Sequence, residues 1–259
     1  MTKIATWNVN SLSVRLPQVI DWLAVNPVDA LCLQELKLID EKFPVKELEA
    51  VGYHSAFFGQ KTYNGVAILS RTLPRDVLKN ITGFADEQSR VITATLDTPQ
   101  GELRVVNGYF VNGQAPGSDK FAYKMKWLDG LNAMLKTELA AHPKLVLLGD
   151  FNITVDDLDT YDPVGLRETI HHTSEERQHF HGLIDLGLTD AFRLFEQTDK
   201  SYSWWDYREF AFRRNRGLRI DHILVSETLK PMVTSCQIDR LPRKNERPSD
   251  HTPVIVEFN

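Results

Sequence analysis

The chain has 259 residues, with 30 Lys and Arg against 35 Asp and Glu, for a formal net charge of −5. That excess of acid argues against a protein coated in positive charge for undirected nucleic-acid or membrane binding, while leaving room for a local basic face. The length admits one large domain or two small ones with a substantial core, and 42% apolar and 25% charged residues argue against extensive disorder.

From the N-terminus, MTKIATWNVNS lacks the apolar run and small-residue cleavage site of a secretory signal, and Ile4–Trp7 reads as a strand. Leu16–Val25, after Ser13, reads as a helix with Pro17 near its first turn. Ala30–Leu33, Gly65–Leu69, Val91–Leu96 and Leu103–Tyr109 are further strand-length aliphatic runs. From Ser118, an N-cap, to His142, just before Pro143, the residues Phe121, Met125, Leu128, Leu131, Leu135 and Leu139 recur at three- and four-residue steps. This spacing predicts a long amphipathic helix. Leu145–Leu148 is again a strand. Asp156, Asp157, Asp159 and Asp162 lack the spacing and terminal Glu of an EF-hand and read as a solvated, helix-initiating loop.

The next helix begins near Ser174, carries Phe180, Leu183, Ile184 and Leu186, and ends at Gly187. Ile220–Val225 and Pro253–Phe258 complete the strands. No linker divides the chain, so strands interspersed with helices indicate an α/β domain, with short turns pointing to mixed or antiparallel sheets. WNVN after the first strand and GDFN after the long helix hint at two similar halves. Cys32 and Cys236 cannot form a disulfide framework, which fits a reducing cytosol. No stretch approaches the ~18 apolar residues of a membrane span. A soluble cytoplasmic protein is expected.

Acids and amides gather at strand ends. Asn8 and Asn10 follow the first strand, Glu35 the second, and Asp150 and Asn152 the aliphatic Leu145–Leu148; Asp221 interrupts RIDHILVS, and Asp250 and His251 precede the last strand. A carboxylate leaving an aliphatic strand is costly to bury unless it meets a cation or donors. Each residue on its own could simply cap its strand, but five ends agreeing favours one oxygen-donor pocket. Hard oxygen ligands suit Mg²⁺ or Mn²⁺.

TWNVNS, LQELK, YNGVAILS, NGYFVNG, LLGDFN, YSWWDYR, GLRIDHILVS and PSDHTPV, in this order from Thr6 to the C-terminus, resemble the exonuclease III family of DNA-repair nucleases. That family is a branch of the endonuclease/exonuclease/phosphatase group of metal-dependent phosphoesterases. The resemblance implies one such domain over residues 1–259, a four-layered α/β sandwich with two mixed β-sheets face to face and helices outside. It implies a divalent metal held by Glu35 with Asn8, Asp150, Asn152 and Asp250. Some relatives carry an acid where Asn10 stands, and a neutral amide there lowers the negative charge of the site. Trp204 and Leu218 match family positions that line the pocket for a displaced or abasic nucleotide.

Phosphodiester hydrolysis needs an activated water, neutralised non-bridging oxygens and a stabilised leaving oxygen. Asp150 is the candidate to orient and deprotonate the water, with Asn152 holding water or phosphate. His251, oriented by Asp221, is the candidate donor to the phosphate, and Tyr109 supplies a phenolic hydroxyl. Ser249-Asp250-His251 has the residue types of a hydrolase triad, but sequence neighbours on an extended strand point to opposite faces.

The basic, aromatic stretch Trp204–Arg219 is the expected DNA-contacting segment, through Arg208, Arg213 and Arg216 with Trp204 and Leu218, over a packed Trp205 and Phe212. Asn10, Asn112 and Gln114 are further DNA-contact candidates. Four of the eight histidines, His171, His172, His179 and His181, cluster, but the lack of cysteine and their spacing argue against zinc. His171 falls where many relatives have Gly or Ser beside the nucleotide pocket. Its imidazole narrows the space for an extruded abasic sugar while leaving a strand end accessible. Residues 207–219 hold five Arg and one Glu, and residues 240–247 three Arg, one Lys and one Glu, giving two basic segments in an acidic chain.

The expected function is a Mg²⁺-dependent DNA phosphodiesterase of DNA repair. It is expected to be a monomer working as a 3′→5′ exonuclease and 3′-end processor on duplex DNA with 3′ ends or abasic sites, and its abasic-site cleavage is reduced by His171. The rival readings are a phosphoesterase of the same fold acting on RNA or inositol phosphates, and a non-catalytic DNA-binding protein.

Overall fold

Aliphatic runs too short for helices and bounded by Asn, Asp, Gly or Pro become strands in the computed structural model, which describes residues 1–259. The strands are β1 (Thr2–Asn8), β2 (Ala30–Gln34), β3 (His54–Phe58), β4 (Val66–Ser70), β5 (Arg75–Lys79), β6 (Val91–Thr98), β7 (Gly101–Tyr109), β8 (Leu145–Asp150), β9 (Leu188–Asp190), β10 (Asp221–Ser226), β11 (Val233–Ile238) and β12 (Val254–Phe258). The helices are α1 (Leu12–Val25), α2 (Val45–Glu49), α3 (Asp119–Ala141) and α4 (Ser174–Asp185).

The strands form two six-stranded sheets, ordered β11-β12-β1-β2-β4-β3 and β5-β6-β7-β8-β10-β9. Each sheet is antiparallel except for one central parallel pair, β1 with β2 and β7 with β8. Those pairs are joined by α1 and α3, because parallel neighbours require a crossover. The two halves are therefore built alike, but the matched segments differ from the expectation. The topological counterpart of the β8 end, at Asp150, is the β2 end, at Glu35, rather than WNVN.

Inward faces of both sheets, among them Ile4, Cys32 and Ile68 against Val105, Val146 and Ile223, form one buried core. The outer face of the first sheet packs Trp7, Leu31 and Leu33 against Val19 and Trp22 of α1. The outer face of the second packs Val106, Leu145 and Leu147 against Phe121, Leu128 and Leu131 of α3 and Phe180 of α4. Helix, sheet, sheet and helix thus make four layers. Strands β2, β8 and β10 are buried along their whole length, which is why their sequences read as continuous apolar runs rather than alternating ones.

Helix boundaries follow local capping. The Ser118 hydroxyl accepts the Phe121 amide and opens α3, as expected. In α4 the N-cap is Thr173, which with Glu176 forms a reciprocal capping box, and Gly187 follows the helix in the left-handed region. Helix α1 starts at Leu12, earlier than its sequence suggests, because the fully buried Leu12 anchors its first turn. Pro17 consequently lies in the helix interior rather than the first turn. The acidic loop also departs from expectation, since Asp159 is buried between the guanidinium groups of Arg219 and Arg193. Burial pushes the Asp159 carboxyl up, but Arg219 and the neighbouring cations outweigh it and hold it at about 2. No helix is long and apolar enough to cross a membrane.

Candidate active site

The second sheet lines up three functional groups by register alone. Tyr109 on β7 pairs with Asp150 on β8, which pairs with Asp221 on β10, so phenol and carboxylates occupy one row at a sheet end. One residue earlier in β7 and β8, Gly108 faces Gly149. Gly149 has φ +142°, and a Cβ there would stand 1.9 Å from the Gly108 carbonyl oxygen, so only glycine permits this approach. On the first sheet Asn8 and Gln34 end β1 and β2 side by side. Glu35 and Lys37 follow with φ of 58° and 55°, and Asn10 and Asn152 also lie in the left-handed region. Such conformations persist where surrounding contacts enforce them.

Hydrogen bonds join the two sheet ends. Asn8 Nδ2 donates to Asp150 Oδ2 at 2.9 Å, and the Asn152 amide donates to Asp150 Oδ1 at 3.0 Å. His251 Nδ1 donates to Asp221 Oδ2 at 2.9 Å, and its Nε2 faces Asp150 Oδ2 at 3.7 Å. The ligand-type atoms of Asp150, Asp221 and His251 all lie within 4.8 Å of one another. Burial disfavours the His251 imidazolium, but the carboxylates of Asp221 and Asp150 override it and push its pKa up. Burial pushes the Asp150 pKa up as well, opposed by His251 and reinforced by Asp221. A cationic imidazole is a donor, not a metal ligand, so His251 offsets one of the two carboxylate charges beside it.

The remaining oxygens lie beside it. Asp250 accepts Asn10 Nδ2 and Trp204 Nε1, both at 2.9 Å. Burial raises its pKa, but His251 and those two donors more than offset this and lower it overall. Glu35 meets only Lys37 Nζ, at 3.0 Å. The Tyr109 pKa is raised well above its ordinary value, by burial first and then by the charges of Glu35 and Asp150, with Asp250 adding to them. Three carboxylates therefore project negative charge onto one phenol, a donor set that fits a hard divalent cation.

The side chains of Asn8 and Asn152 are tied into the cluster. Asn8 Oδ1 accepts the Asn10 amide, and the Asn152 side chain donates to the Phe110 carbonyl and accepts Asn112 Nδ2. Each amide oxygen accepts one hydrogen bond, and both side chains orient neighbours. Asn10 is half-buried at the rim of the cluster, bonded to Asp250 and Lys37.

Two clefts flank these groups. One of about 560 Å³ is lined by His171, Trp204, Arg208, Arg216 and Leu218, and backbone bridges tie Trp204 to both His251 and Leu218. The other, of about 680 Å³, contains Tyr109, Asn112 and Gln114. The expected DNA contacts thus divide between two grooves. Arg213 is exposed and lines neither. Arg219 and Arg243 are buried, so the basic segments present fewer outward charges than they contain.

A family model described as the endonuclease/exonuclease/phosphatase family matches residues 5–251. The chain belongs to that family. It is 37% identical to exodeoxyribonuclease III of Haemophilus influenzae, with 99% of each chain covered. Among solved structures, it superimposes on a 3′ phosphatase, NExo, from Neisseria bound to a product DNA hairpin, with TM-score 0.97, 50% identity and full coverage of both chains. An AP endonuclease from Archaeoglobus fulgidus gives TM-score 0.94 at 34% identity, again with full coverage.

Several further groups of this family member support the site in roles that the motifs do not specify. Gln34 and Asn107 bridge the two sheets beneath the site, Gln34 Nε2 donating to Asn107 Oδ1 at 2.7 Å. The Arg90 guanidinium lies 5.0 Å from the Tyr109 ring centroid and donates to the Tyr109 carbonyl. Ser249 Oγ donates to the Asn8 carbonyl at 2.7 Å. Polar residues inside strands were the available signal for Gln34 and Asn107; no local pattern marks Arg90, and Ser249, within PSDHTPV, gave no sign of this bond.

Proposed function

We propose that the chain is a Mg²⁺-dependent DNA phosphodiesterase of DNA repair that acts at 3′ ends of duplex DNA in the cytoplasm, as a 3′→5′ exonuclease and 3′-end processor. The observation that carries this reading is the row of Tyr109, Asp150 and Asp221, closed by His251 and bordered by the carboxylates of Glu35 and Asp250. The names of the relatives, an exodeoxyribonuclease, a DNA-bound 3′ phosphatase and an AP endonuclease, support the substrate class.

Glu35, Asp150 and Asp250 would hold the cation, with Asn8 orienting Asp150 and Asn10 orienting Asp250. A bound Mg²⁺ supplies neutralisation of phosphate oxygens and of the departing 3′ oxygen. Asp150, held by the Asn8 side chain and the Asn152 backbone amide, takes the proton of the attacking water. His251, held through Nδ1 by Asp221, keeps Nε2–H for a non-bridging phosphate oxygen. Tyr109, whose raised pKa keeps its proton, donates to the leaving group.

His171 supports a restricted AP endonuclease activity. Its Nδ1 donates to the Asn152 carbonyl at 2.7 Å, which fixes the ring on the wall of the cleft shared with Trp204 and Leu218. End-labelled duplexes with a recessed 3′ end and with an internal abasic site, digested with and without Mg²⁺, test the function. Metal-dependent shortening from the 3′ end is expected, and no release with Mg²⁺ would remove the reading. His171→Gly is expected to raise cleavage at the abasic site about tenfold or more, one methylene-scale steric term being worth 10–200-fold. An unchanged rate would end the steric explanation.

A further inference from the structure

Bonded to the Asn152 carbonyl is a charge pair that the proposed chemistry does not use. Lys124 of α3 and Glu176 of α4 are both 0% exposed and form a direct ion pair. The Lys124 ammonium also donates to the Asn152 carbonyl at 2.8 Å and the Asn112 carbonyl at 3.4 Å, which occupies all three of its protons. Glu176 Oε1 accepts the His171 amide at 3.1 Å, while Oε2 accepts the Thr173 amide and hydroxyl. His171 Nδ1 returns to the Asn152 carbonyl, and Asn112 Nδ2 reaches Asn152 Oδ1 at 3.3 Å.

We propose that Lys124 and Glu176 are a positioning pair that fixes Asn112, Asn152 and His171 relative to one another. A fully buried ion pair contributes little to stability, because desolvation of two charges offsets their attraction and an apolar pair of similar volume often does as well. What an apolar pair cannot do is satisfy two backbone carbonyls and an amide from different loops. With those partners lost, the buried groups are destabilised and the loops would move to find water. Those loops are held in demanding conformations, with φ of 51° at Asn152 and 70° at His171. One ammonium and one carboxylate thus pin the ends of three loops: those after β7 and after β8, and the segment entering α4. The loop after β8 carries Asn152, whose amide holds Asp150, so the pair acts on the site through Asn152.

The catalytic consequence rests on the nuclease reading; the positioning itself does not. The test compares wild type with Lys124→Met/Glu176→Gln, which leaves no buried unpaired charge. The melting temperature, kcat and KM on a recessed duplex, and the ring ¹⁵N signals of His171 are followed. The double variant is expected to melt several degrees below wild type while remaining folded at the assay temperature. Its kcat should nevertheless fall about tenfold to a hundredfold, the effect of a misplacement near 1 Å, with KM changed far less. The His171 ring, a single Nδ1–H tautomer in wild type, should become a mixture of tautomers. Wild-type kcat with unchanged ring signals would overturn the proposal. If the double variant does not fold, Glu176→Gln alone is measured. It should shift the His171 signals, and unshifted signals would equally overturn the pairing. A wild type without nuclease activity would instead defeat the functional reading, leaving the tautomer measurement to decide the positioning.

Discussion

The two halves of the molecule share one layout and contribute opposite kinds of chemistry. In each, a parallel strand pair joined by a helix delivers polar residues at its carboxyl ends, the usual place for a site in such sheets. In the second half Asp150, and beside it Asp221 at the start of the antiparallel β10, are 1% exposed and locked by strand register against a protonated imidazole. In the first half Glu35 sits on a left-handed turn, more open, with a single lysine as counter-charge. One topology thus yields a buried proton-transfer group with a cation fixed inside it and a more open carboxylate beside it. The difference lies in burial and register, not in residue type.

That division can be broken from the second half first. Asp150→Asn keeps the shape but cannot accept a proton, and should lower kcat about 10²–10⁴-fold, as loss of a general base does. Stopped assays on a recessed duplex and a melting curve would check it, and near-normal turnover would place the base elsewhere. In the first half, Glu35→Gln is expected to raise the Mg²⁺ concentration for half-maximal activity about 10–100-fold while the saturated pH profile stays unchanged. A shift in pH profile without a shift in metal demand would dissolve the assignment of roles.

A third test concerns the foundation of the second half. Asp159 pairs with Arg219, two residues before Asp221, and removing one member of a buried pair typically costs about 3–5 kcal/mol. Asp159→Asn should therefore lower the melting temperature at pH 7. Because the native carboxyl is held at about 2, below its unfolded value, its stabilisation is present above about pH 3.9 and is lost as pH falls through about 2. The gap between wild type and variant should accordingly narrow in melting curves taken from pH 4 to pH 2. The smallest effect is expected from Arg213→Ala, an exposed residue outside both clefts, with duplex affinity changed less than about threefold, in line with the modest worth of exposed charges.

The central strands were legible because each is buried on both faces and so is aliphatic throughout. β3, β5, β9 and β11 were not. β5, Arg75-Asp-Val-Leu-Lys79, is exposed along its whole length, and β11 alternates polar residues at a sheet edge, where neither burial nor period marks the chain. The site residues were legible wherever chemistry and strand ends coincide, as at Asp150, Asp221 and His251. The orientation of amides was not, because whether Asn8 or Asn152 offers its oxygen or its nitrogen depends on neighbours distant in sequence. The same holds for charge: Arg219 and Arg243 read as surface groups and turn inward because their partners, Asp159 and the Ser249 carbonyl, come from other loops.

The Gln34–Asn107 bridge has a mechanical consequence. A polar bolt between two apolar sheets forbids sliding of one across the other, since any shift would strand buried amides without partners. The two halves meet through strands rather than a hinge, so the cleft is a rigid die. In an encounter with a nucleic-acid end, the part that deforms is the strand being cut.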